Sequence, residues 1–132
     1  MSQIEFAHGL INHLQRGNVL ATDCPSREIL SHLTSRWGTL ALIVLLTGTY
    51  RFSELRRKMT GVSERMLAQT LQQLEADGFV TRTAHNVVPP HVDYCLTPLG
   101  HEAAEHIAGL VRWIEESLPN ILQGSKLSTA AA

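Results

Sequence analysis

The sequence predicts a mainly α-helical domain carrying one small β-hairpin, and three observations predict it. Two short helical stretches flank a tight Thr60-Gly61-Val62 turn; the apolar period changes from helical to alternating after Gly78; and a final long stretch repeats apolar residues every three or four positions. At 132 residues the chain has room for one core with short arms. A hydrophobic content of 44% against 17% charged residues is that of a folded globular chain.

Residues 3 to 16 read as a short amphipathic helix with Ile4, Leu10, Ile11 and Leu14 on its apolar side and Gly17-Asn18 as its stop. Such a helix is too short to persist alone in water, so it needs a partner surface. A second helix opens at Cys24-Pro25, because proline at the first helical position gives up only an amide that has no helical partner. It is expected to run to about Leu46, with Gly38 as the candidate interruption, and to end at Gly48. The longest apolar run, Leu40 to Leu46, falls far short of the roughly 20 residues a bilayer-spanning helix needs, so it belongs to the core.

Phe52 to Met59 and Ser63 to Ala76 are the paired helices. Ser63 offers its hydroxyl to the free amides of the second, whose buried face is marked by Met66, Leu67, Thr70, Leu71 and Leu74. After Asp77-Gly78, Phe79 to Thr83 and Val92 to Leu96 read as two strands joined by a loop with Pro89-Pro90. Thr97-Pro98 opens a last helix through about Ser117, which Pro119 is expected to close. Its stripe of Leu99, Ala103, Ile107, Leu110, Val111 and Ile114 exceeds what so small a domain covers, which implies a subunit interface. The expected organisation is an N-terminal dimerisation arm over 1–22, a domain over 23–122 whose helix 98–122 also serves dimerisation, and a flexible tail over 123–132.

Helix-turn-helix, hairpin, helix is the order of a winged helix-turn-helix, in which the second paired helix enters the major groove of double-stranded DNA. A net charge of -1 is not the footprint of a nucleic-acid binder, but its distribution is uneven. From 51 to 65, Arg51, Arg56, Arg57, Lys58 and Arg65 outnumber Glu54 and Glu64; from 101 to 123, Glu102, Glu105, Glu115 and Glu116 face only Arg112. The basic segment, with Ser53, is expected to hold phosphates, which dominate affinity without selecting sequence. Ser63, Glu64, Arg65, Gln69, Gln72 and Gln73 are the candidate contacts on the second helix, because arginine and glutamine form paired hydrogen bonds to guanine and adenine edges. The wing loop offers His85, Asn86 and His91, of which His91 is the candidate DNA contact. The rival from another class is a winged-helix protein-interaction module without DNA binding, which lacks the steep salt dependence of phosphate contacts.

No glycine-rich phosphate loop or nucleophile elbow is found, and His101 and His106 are five apart where the zinc-protease helix needs four. The expectation is therefore no enzyme, no catalytic or metal-ligating residue and no cofactor. The N-terminus lacks the basic and apolar regions of a secretory signal, so a cytoplasmic location with reduced thiols is expected. Cys24 stands at a helix N-terminus with Arg27 one turn on, where the dipole and free amides favour thiolate; it is the candidate redox-sensing residue. The opposing reading is a buried, unreactive cap.

Several linked motifs resemble a known family. Cys24-Pro25-Ser26-Arg27, Arg36-Trp37, Arg51-Phe52-Ser53-Glu54-Leu55-Arg56, Ser63-Glu64-Arg65-Met66-Leu67, Leu74-Glu75-Ala76-Asp77-Gly78, Val88-Pro89-Pro90-His91-Val92-Asp93-Tyr94 and Leu96-Thr97-Pro98-Leu99-Gly100 look like the HxlR-type winged-helix regulators of bacteria. The resemblance spans about residues 23 to 118. It implies a homodimer that pairs through its terminal helices, binds inverted-repeat operator DNA as a transcriptional regulator, typically a repressor, and often responds to quinones, aldehydes or oxidants. In some members of that family a cysteine at the Cys24 position is the sensor. Cys95 departs from the pattern, which usually has serine there, so no role for it is inherited.

Overall fold

A computed structural model describes residues 2–13 and 19–131, and the side chains of 2–10 and 19–124. Its elements are α1 (Gln3–His13), α2 (Pro25–Thr34), α3 (Arg36–Leu45), β1 (Tyr50–Arg51), α4 (Phe52–Lys58), α5 (Glu64–Ala76), β2 (Val80–His85), β3 (His91–Leu96) and α6 (Pro98–Ala131). Leu14, Gly17 and Asn18, assigned above to the first helix and its stop, lie outside the described residues, as does the side chain of Ile11.

The core forms where α3, α4 and α5 meet the base of the hairpin. Leu42, Leu45, Leu55, Met59, Leu67, Leu71 and Leu74 are buried completely or nearly so, each gaining about 1.5–3 kcal/mol from leaving water. Ala104 and Ile107 of α6 close this cluster from one side, and Phe79 and Val80 close it from the hairpin. The Ser63 hydroxyl accepts from the Met66 amide at 3.1 Å, which fixes the start of α5 as the sequence predicts.

Three expectations are corrected. The segment from Pro25 to Leu45 is two helices divided at Ser35, not one helix interrupted at Gly38. Ser35 leaves helical geometry and caps α3 by accepting from the Gly38 amide at 3.0 Å. Gly38 lies inside α3, and its lack of a side chain lets the chain pass close to α2, since a Cβ there would sit 2.1 Å from the His32 carbonyl oxygen. The wing is part of a three-stranded antiparallel sheet in the order β1-β3-β2, in which Tyr50 pairs with Tyr94 and Arg51 with Asp93. Finally, α6 runs through Pro119 instead of ending before it. A proline inside a helix removes one hydrogen bond at a cost of roughly 3 kcal/mol, and the apolar residues continue beyond it at Ile121 and Leu122.

The root of α6 is tied to the end of α5. The Thr97 hydroxyl donates to the Gly78 carbonyl at 2.6 Å, and the Thr97 amide donates to the Phe79 carbonyl at 3.0 Å. The Gly100 amide in turn donates to the Thr97 hydroxyl at 2.9 Å. Gly100 is buried against the Phe79 backbone, whose carbonyl oxygen would be 1.9 Å from any Cβ at that position.

Candidate nucleic-acid interface

Leu67, Thr70, Leu71 and Leu74 turn one side of α5 into the core, which leaves the opposite side to solvent. Arg65, Ala68, Gln69 and Gln72, spaced three and four apart, are exposed along that side, as is Glu64 at its start. Gln73 is set apart: it is half-buried in a groove it shares with Trp37, Met66 and Gln69. Met66, expected on the buried face, is 41% exposed, because α5 presents it to that groove and not to the core.

The basic residues gather at α4. Ser53, Arg56 and Arg57 line one shallow groove together with Glu64 from the start of α5. Arg56 donates to the Glu64 carboxylate at 3.1 Å, a pair 48% and 72% exposed, so its hold is weak and both groups remain within reach of a ligand. The Lys58 ammonium stands 5.3 Å from the Tyr50 ring centre, which steers this cation toward the sheet. The Arg51 amide donates to Glu54 at 2.9 Å at the head of α4. Ser63 is occupied as the cap of α5. On the wing, His91 is half-buried and faces Asp93, a neighbour that sequence reasoning did not connect with it.

Cys24 precedes α2 as its N-cap residue and is itself about 9% exposed. Burial raises its pKa and the Asp23 carboxylate adds to that; the Ser26 hydroxyl and the amides of Ser26 and Arg27 outweigh both and leave the thiol below its ordinary value. These groups favour thiolate by their polarity, although the sulfur completes no cap hydrogen bond of regular geometry. Arg27 contributes its amide, while its guanidinium donates to the Leu20 carbonyl at 3.2 Å. Cys95 stands on β3 opposite Thr81, half-buried.

The profile of the HxlR-like helix-turn-helix family matches residues 32–121. This chain belongs to that family. Among curated relatives, the uncharacterized HTH-type transcriptional regulator YtfH of Escherichia coli is 57% identical over 122 residues, covering 92% of this chain and 94% of its own. A solved structure of the regulator ytfH from Salmonella typhimurium is 58% identical, with a TM-score of 0.79 over 83% of this chain and 98% of that one. The redox regulator HypR, solved in its oxidized form, is 33% identical with a TM-score of 0.65, over 70% of this chain and 96% of that one. The HxlR-like chain is thus a winged helix-turn-helix transcriptional regulator and not an enzyme. Among the described residues, no helix is long and apolar enough to cross a membrane.

Proposed function

We propose that this HxlR-like regulator binds an inverted-repeat operator as a homodimer and represses transcription from the cytoplasm. The observation that carries the reading is the exposed stripe of Arg65, Ala68, Gln69 and Gln72 on a helix whose other face is locked into the core. Such a helix enters a major groove with arginine and glutamine toward base edges, and the small Ala68 permits close approach. Ser53, Arg56, Arg57 and Lys58, with Arg51, stand on the neighbouring helix or at its head and supply phosphate contacts, while Ser63, Glu64 and Gln73 border the reading face and His91 approaches from the wing.

The two copies pair through residues 1–22 and 98–122, which sets their α5 helices roughly 34 Å apart, one turn of the duplex. Support comes from Leu110, Trp113, Ile114, Leu118, Ile121 and Leu122, exposed at helical spacing on α6, together with Ile4, Phe6 and Leu10 on α1. Cys24, whose thiolate is favoured, is the sensor for an electrophile such as a quinone or for an oxidant, as the redox name of one structural relative suggests.

The test is a gel-shift titration with DNA from upstream of the chain's own gene. Arg65→Ala combined with Gln69→Ala is expected to weaken operator binding at least tenfold, since each paired base contact contributes about 1–3 kcal/mol. Unchanged binding by that variant would remove α5 as the reading helix, and binding insensitive to salt would favour the protein-interaction alternative. Loss of binding on diamide treatment that Cys24→Ser abolishes identifies the switch; equal response of both proteins removes Cys24 from it.

A further inference from the structure

Two histidines and an aspartate converge on one face of the wing. The register of β2 and β3 sets His85 directly opposite His91, and Asp93, two residues further along β3, falls on the same face. The imidazoles are stacked with centroids 4.5 Å apart. Asp93 Oδ2 lies 2.7 Å from His85 Nε2 and 3.8 Å from His91 Nε2, and one ligand atom from each residue lies within 4.8 Å of the other two.

We propose that His85, His91 and Asp93 bind a divalent transition-metal ion of the zinc class. An ion with bonds of about 2.0–2.1 Å in tetrahedral geometry holds neighbouring ligand atoms about 3.3 Å apart. That value falls between the two distances from Asp93, and turning the stacked imidazoles toward a common point completes the site. A hydrogen bond from His85 to Asp93 accounts for two of the residues. It leaves His91 beyond hydrogen-bond range of the same oxygen. A shared cation takes in all three once the imidazoles turn out of their stack. Two neutral imidazoles with a single carboxylate select zinc-like ions over calcium and magnesium, which prefer oxygen.

The strands supply the rigidity such a site needs, since His85 and His91 close a ladder of six registered pairs and do not hang from a loop. Side-chain exposures of 39%, 23% and 26% for His85, His91 and Asp93 leave the ion accessible, with water in the open fourth position. Loading breaks the His85–Asp93 hydrogen bond, the ring hydrogen moving to the other imidazole nitrogen, and protons compete with the ion for both imidazoles, so uptake weakens as pH falls. With both rings neutral, the trio passes from the -1 of the carboxylate to +1 when a +2 ion joins it. Only the consequence that such a wing attracts phosphate more strongly rests on the DNA-binding reading.

The test needs no DNA. Tag-free full-length chain, and in parallel its Cys24→Ser, Cys95→Ser form, is titrated with zinc by calorimetry and with cobalt by visible absorption. The expected result is one equivalent per chain in both proteins, with cobalt bands of a nitrogen and oxygen site and no sulfur charge transfer. His85→Ala, His91→Ala and Asp93→Asn each weaken uptake at least tenfold while circular dichroism stays unchanged, and His101→Ala with His106→Ala does not. Asp93→Asn keeps the size and most of the hydrogen bonding of the native residue, so it remains informative if a histidine variant misfolds. No uptake by the folded chain, uptake that follows the cysteines or His101 and His106, or uptake indifferent to the Asp93 change overturns the assignment.

Discussion

His32 Nδ1 on α2 lies 2.6 Å from Asp77 Oδ2, the residue that caps the end of α5, with both side chains only 15% exposed. The contact joins residues 45 apart in sequence and holds the C-terminal end of α5 against the segment that begins at Cys24. His32→Ala leaves the Asp77 carboxylate covered and without this partner, and is expected to cost about 2 kcal/mol of stability by urea denaturation. The His32→Ala, Asp77→Ala pair should cost less than the sum of the single changes. Strict additivity would mean that the contact contributes nothing.

Cys24 is expected to titrate below an ordinary thiol because Ser26 and Arg27 favour its charged form. In the Cys95→Ser background, the pH profile of alkylation should reach half its maximum below that of a cysteine peptide, and Ser26→Ala should move it back up. The low exposure of the residue slows the reaction at every pH without displacing the inflection. A lowered folded-state value makes this thiolate's stability contribution complete above the ordinary thiol range and lost as pH falls through the lowered value.

Met66 and Leu67 are neighbours on α5 with opposite surroundings. Leu67→Ala empties a fully buried site and should cost about 3 kcal/mol, whereas Met66→Ala, at 41% exposure, should stay within about 0.5 kcal/mol. Thermal melts of the two variants check the orientation of α5, and equal losses would mean that it is rotated.

Gly100→Ala should destabilise by about 3 kcal/mol or prevent folding, because the obstacle is the Phe79 backbone and not a side chain able to swing away. Gly109→Ala on the same helix has open space and is the control, expected to be neutral or slightly stabilising.

Trp113, 58% exposed in the single chain, should lie at the centre of the pairing surface proposed above. Trp113→Glu is expected to weaken self-association at least tenfold in sedimentation velocity while leaving far-ultraviolet circular dichroism intact. A variant that remains as dimeric as the parent would place the interface elsewhere.

The helix-turn-helix was legible because its signals are local. Ser63 announces the start of α5, and Leu67, Leu71 and Leu74 repeat at the helical period that the core then honours. What escaped depends on tertiary fit. Ser35 has the chemistry of a cap, but only the close passage of α3 by the His32 carbonyl explains why the break falls there and why Gly38 follows. A two-residue strand, Tyr50–Arg51, is too short for alternation to register, and exists because β3 offers it an edge. Pro119 meets the general rule for a helix stop, although Ile121 and Leu122 beyond it keep the stripe going. His91 was visible as a wing residue, whereas its meeting with His85 and Asp93 is a property of strand register, which single-chain patterning does not reveal.

The anchoring of α6 at Thr97 and Gly100 has a mechanical side. A helix of 34 residues is about 51 Å long, and its root is fastened to the last turn of α5 through Gly78 and Phe79. A tilt of about 5° at that fastening sweeps the far end through roughly 4 Å over this length. The same gearing runs backwards, so a push of a few ångströms on the distal spar returns to α5 as a small rotation and little translation. Ala104 and Ile107, close to that root, also pack into the core, so any such rotation is shared with the cluster that holds α5.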